Sequence, residues 1–132
     1  MMNNLIRYAL PVALGGLLVS QISFAGYPNK SMIAAQCHAQ SNKLTRIMES
    51  KPQNKCAGDV GVAAAYIDAA ELQIQKEHYN EALVSLHYSE SELRDIAYSR
   101  TYCTYFSPLV KPSIAEVIRI AGELNVLEQR MR

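Results

Sequence analysis

The stretch 76-KEHYNEALVSLHYSESEL-93 decides the fold. It begins polar and then places Tyr79, Ala82, Leu83, Leu86 and Leu93 on one face of a helix, joined further on by Ile96 and Ala97. The preceding run, 62-VAAAYIDAAELQIQK-76, is also helical in pattern, and neither Gly nor Pro separates the two. One continuous helix over residues 60–99 is therefore one reading. At about 1.5 Å per residue it would project far beyond a domain of this size. A hairpin that turns at residues 77–80 is the reading adopted here.

Two further helices lie outside this pair. Residues 31–50 set Ile33, Cys37, Leu44, Ile47 and Met48 along one side before Pro52 and Gly58 interrupt the pattern, and Asp59 is placed as the N-cap of the next helix. After YFSPLVKPS, Ser113 and Glu116 have capping-box spacing, and Ile114, Val117, Ile118, Ala121, Leu124, Leu127 and Met131 form an apolar stripe. Strand-like alternation is absent. Each stripe needs another to cover it, so short connections predict an all-α, antiparallel four-helix bundle. Ala63, Ala64, Ala65, Ala69 and Ala70 favour helix and let a neighbouring helix approach closely.

The N-terminus reads as a secretory signal peptide over residues 1–25: Arg7, an apolar run over residues 8–19, then Ser23-Phe24-Ala25. The run is shorter than the roughly 20 apolar residues of a membrane span. Cleavage after Ala25 would leave residues 26–132 as one helical domain, delivered to the periplasm or the exterior of a bacterial cell. No cysteine near that site offers a thiol for lipid attachment. An oxidising destination permits one disulfide among Cys37, Cys56 and Cys103. In an alternating bundle Cys56 and Cys103 share a pole, whereas Cys37 lies about 20 Å along the first helix, beyond the roughly 7 Å reach of a bridge. The predicted bond is Cys56–Cys103, with Cys37 a buried free thiol.

Residues 62–95 resemble one tetratricopeptide-like helical hairpin. Tyr66, Ala69, Ala70, Tyr79 and Ala82 carry the resemblance, and EHYNEAL is similar to the turn and second-helix entry of that family. Glu77 stands where the repeat usually has Gly and Ser89 where it has a small apolar residue, and no second copy recurs at a fixed period. What the resemblance implies is a helical hairpin more than a peptide-binding array.

Over residues 26–132 basic and acidic residues balance at twelve each, so no global field points to nucleic acid. Locally, Asp68, Glu71, Glu77 and Glu81 mark a candidate acidic face, or else a solvated one flanking a basic helix. Lys43, Arg46, Lys51 and Lys55 are candidate contacts for anionic lipid headgroups. Tyr98, Tyr102, Tyr105 and Phe106, flanked by Arg100 and Lys111, form the candidate interaction surface, or else close the end of the bundle core with their hydroxyls reaching water; a helix continuing that far would put the three tyrosines on one face.

Catalytic patterns are thin. Cys37 and His38 are adjacent, but helical neighbours point about 100° apart, which suits a buried thiol beside a surface imidazole better than a dyad. His87 and Glu90 supply at most two metal ligands where zinc or iron needs at least three. No glycine-rich phosphate loop, GxSxG elbow or HExxH pair occurs. The reading is an exported, non-enzymatic protein-interaction module without cofactor or metal. A secreted lipid-binding protein is the alternative, and a small hydrolase a third class.

Overall fold

The computed structural model describes residues 28–132, and the signal-peptide segment lies outside the described residues. Four helices follow one another: α1 Lys30–Glu49, α2 Ala57–Gln75, α3 Tyr79–Arg94 and α4 Ser107–Arg130, with no strand among the described residues. Each packs on the next and α4 closes back on α1. Their directions alternate, because the start of α1 meets the end of α2 (Lys30 Nζ to Glu77 Oε2, 3.0 Å) while the end of α1 meets the start of α4 (Ser50 Oγ to Tyr105 hydroxyl, 3.1 Å). The antiparallel four-helix bundle is the fold.

The core is the sum of the inward stripes. Ile33, Cys37 and Leu44 of α1, Val60, Ile67 and Ile74 of α2, Leu86 and Leu93 of α3, and Val117, Ile120 and Leu124 of α4 are without solvent exposure. Ala63, Ala70 and Ala82, also fully buried, keep the contact between α2 and α3 close. Ser89, buried in the same seam, donates to the Ala63 carbonyl at 2.8 Å, which satisfies a hydroxyl that would otherwise be costly there.

The α2–α3 turn falls where expected and has an identifiable closure. The Glu77 N–H donates to the Ile74 carbonyl at 2.9 Å and the His78 N–H to the Gln73 carbonyl at 2.8 Å, the paired bonds of a Schellman motif. Glu77 itself is left-handed, with φ 64°. A glycine would take that conformation without strain; Glu77 takes it facing Lys30.

Four local expectations are corrected. First, α2 begins at Ala57, so Asp59 lies in its first turn rather than at its N-cap, where it still favours the helix dipole. Second, α3 does not run on to Tyr102: residues Asp95–Ser99 widen into a π turn, Arg100 is extended, and Thr101–Cys103 form a short 3-10 turn. The Ser107 hydroxyl donates to the Ala97 carbonyl at 2.7 Å across this break. Third, α4 starts at Ser107 and runs through Pro112, so Ser113 is a fully buried interior residue and Glu116 pairs with Arg119 instead of closing a capping box. Pro108 in the first turn needs no N–H partner, and burial of Phe106 and Val110 holds the chain helical past Pro112. Fourth, Ile114, Val117, Leu124 and Leu127 are buried as expected, but Ile118 and Met131 are exposed at the edge of the stripe and Ile120 joins the core.

Candidate interaction surface at the disulfide pole

One end of the bundle gathers the α1–α2 connection and the α3–α4 connection. Cys56 and Cys103 are bonded there, with Cα atoms 5.1 Å apart, and Cys37 is a buried free cysteine. The bond ties the two connections together, so residues 47 apart in sequence share one surface.

Charge at this pole is organised around Arg100. Its guanidinium contacts Glu92, Asp59 (3.2 Å) and Asp95 (3.3 Å). Hydrogen bonding to Glu92, with attraction to Glu92 and Asp59, raises the Arg100 pKa still further, so this cation is committed internally. Arg100 therefore supports the surface from within instead of offering its charge to a partner. The Tyr102 hydroxyl donates to Asp59 Oδ2 at 2.9 Å, and that bond raises the pKa of the phenol.

The aromatic cluster divides. Phe106 has no solvent exposure and closes the core, which removes it from the candidate surface. Tyr98, Tyr102 and Tyr105 remain 67%, 43% and 37% exposed. The π turn and the break at Arg100 rule out their sharing one continuous helical face; they reach the same pole through the irregular connection. Tyr105 stacks edge-on against Phe106 at 4.9 Å, which fixes its ring. A lysine ammonium lies over each exposed ring: Lys51 over Tyr105 (4.8 Å), Lys55 over Tyr102 (5.9 Å) and Lys111 over Tyr98 (5.1 Å). The predicted Cys56–Cys103 bond places the tyrosine cluster beside the first loop, and Lys51 and Lys55 of that loop, read as headgroup contacts, do lie against the tyrosines. Lys43 and Arg46 stay on α1, where Lys43 faces Glu116 of α4 closely enough to help lower its pKa after the larger effect of Arg119.

The acidic residues do not form one face. Glu77 is paired with Lys30 at 3.0 Å, Glu71 with His38 Nδ1 at 3.3 Å and Glu81 with His78 Nδ1 at 3.6 Å. Asp68 and Glu71 lie on the α1 side of α2, where both add to the rise in the Cys37 pKa. Glu77 and Glu81 belong to the opposite pole from the disulfide.

The remaining chemistry-bearing residues are placed as follows. Burial, then Glu71 and Asp68, push the Cys37 thiol up to about 12, so it stays protonated at neutral pH. His38 is exposed and turned to Glu71. An open cleft of about 530 Å³ lies beside this pair, lined also by Lys30, Ala34, Ala35 and Gln75. Glu90 is held by Arg94 at 2.8 Å instead of converging with His87. Cys56, Asp59 and Cys103 bring three donor atoms within 4.8 Å, but both sulfurs are spent in the disulfide and Asp59 is bonded to Tyr102 and Arg100. No family model, curated protein or solved structure matches the chain. The hairpin implied by the tetratricopeptide resemblance corresponds to α2 and α3, whose inner side is closed by α1 and α4.

Proposed function

We propose that this is an exported helical protein that works by binding another protein through the disulfide pole, without catalysis. The observation that carries the reading is the set of three exposed tyrosines, each beside a lysine, on a surface locked by Cys56–Cys103. Tyrosine offers large contact area at low conformational cost and suits a partially exposed interface. Lys51, Lys55 and Lys111 form no ion pair among the described residues, so their charge is available to a partner rich in carboxylates. Delivery through a cleaved signal peptide to the periplasm or beyond fits the disulfide, and no described helix is long and apolar enough to cross a membrane. A lipid surface is the second reading, since lysine beside tyrosine also suits a headgroup layer.

The test compares the wild-type protein with Tyr98→Ser/Lys51→Glu/Lys55→Glu/Lys111→Glu in capture from envelope extract and in sedimentation with phosphatidylglycerol vesicles. These side chains are exposed, so melting should change little, exposed cationic contacts being worth about 0–1 kcal/mol each. The protein reading expects a discrete captured protein that the variant loses, and no vesicle binding. Salt-sensitive vesicle binding lost in the variant transfers the function to lipid. Capture unchanged by the variant removes this pole from the function.

A further inference from the structure

The outer face of α2, turned away from the core, carries Gly58, Val62, Ala65, Ala69 and Leu72, and reaches Lys76 just past the helix end. Their spacing alternates four and three, the period of a coiled-coil seam. Leu72 is 57% exposed, and Val62 is exposed beside it. Across the groove to α3 the apolar surface continues through Val84 and Tyr88, the latter 52% exposed and stacked on Tyr66 at 5.4 Å. α2 is thus apolar nearly all round, a pattern that belongs to a helix covered on every side. Two of its charged residues are turned elsewhere, Asp59 to Tyr102 and Arg100 and Glu71 to His38, and Asp68 is exposed at the rim on the α1 side.

We infer that a second copy of this chain covers the seam, with the two α2 helices packed antiparallel about a two-fold axis beside Ile67. The spacing of the seam reads the same from both ends, with an alanine and then a branched aliphatic residue on either side of its centre. Ala65 and Ala69 lie equally far from Ile67, as do Val62 and Leu72, and Gly58 and Lys76. A two-fold pairing therefore sets Ala65 against the partner's Ala69 and Val62 against the partner's Leu72, so small residues meet at the centre and larger ones interlock on either side. A closed isologous interface requires this self-complementarity, whereas a foreign helix does not. Antiparallel packing opposes the helix dipoles favourably.

The size is sufficient. A 19-residue helix is about 28 Å long, and with the adjoining edge of α3 the face is about 18 Å wide; two such faces bury on the order of 1,000 Å², the lower bound for a specific interface. One rim contact opposes it, since the exposed Asp68 side chains approach each other near the axis. Association should accordingly tighten with salt. The same symmetry sends the two disulfide poles to opposite ends, so the dimer is bivalent.

Sedimentation equilibrium of the purified product of the full chain decides the matter. The wild-type protein is expected to be dimeric at about 100 µM, and Ala65→Glu and Ala69→Lys, each placing one unpaired charge in the seam, should weaken the dimer about 100-fold or more with circular dichroism unchanged. An equimolar mixture of the two variants should dimerise again, because the introduced charges face each other across the axis only in this register. A monomeric wild type, which would hand the seam to a different partner, overturns the inference. So does a dimer that survives both variants, or a mixture that stays monomeric.

Discussion

At Cys37 burial and charge act in the same direction. The thiol has no solvent exposure, and burial together with Glu71 and Asp68 raises its pKa to about 12 from an ordinary value near 9. A raised folded-state pKa stabilises the fold fully below the unfolded value, and that contribution is lost as pH rises through the interval between the two. Melting temperature should therefore fall more steeply between about pH 9 and 12 in the wild type than in Cys37→Ala, although the alanine protein starts lower because it leaves a small cavity. Parallel slopes would show that this thiol ionises as readily in the fold as in the unfolded chain. Glu77 offers a second test at the same scale. Its left-handed backbone costs about 1 kcal/mol, against about 0–1 kcal/mol returned by the exposed Lys30 pair. Glu77→Gly should raise stability by about 0.5 kcal/mol in chemical denaturation, and a clear loss would mean that the ion pair outweighs the strain.

Single helices show which signals a sequence carries openly. The inward stripes of α1 and α3 were legible because Ile33, Cys37, Leu44, Ala82, Leu86 and Leu93 repeat at the helical period and all end in the core. The α2–α3 turn was legible through length alone, since Glu77 closes it without the glycine that usually marks such a position. The start of α4 was misread because Pro112 looks like a breaker and Ser113 like a cap, while the burial of Phe106 and Val110 that keeps the helix going is a tertiary effect. By contrast, the meeting of Lys51 and Lys55 with the tyrosines follows from the Cys56–Cys103 pairing, which the helix order predicts although no local pattern announces it. The two placements of Ser113 differ in the sign of one mutation. Its buried Oγ has no partner, so Ser113→Ala should stabilise the protein by about 1 kcal/mol in urea unfolding, whereas loss of an N-cap would cost about that much.

At the level of the molecule, the Cys56–Cys103 bond joins the residue just before α2 to the α3–α4 connection and fixes both connections at one pole. With a sequence separation of 47, chain entropy gives it up to about 4 kcal/mol. Cys56→Ala/Cys103→Ala should lose about 2–4 kcal/mol in urea unfolding and loosen the Tyr98, Tyr102 and Tyr105 surface before the rest of the bundle. Hydrogen exchange distinguishes this from uniform weakening: residues 98–106 should lose protection while Leu86 and Ile120 keep theirs. The disulfide pole is the centre of the functional reading, and site-specific photo-crosslinking in the native cell addresses it most directly. A photoreactive residue placed singly at Tyr98, Tyr102 and Lys111 should yield the same protein adduct, while one at Ile118 or Val126 on the outer side of α4 should yield none. An adduct confined to the α4 positions, or lipid adducts alone at the pole, would contradict it.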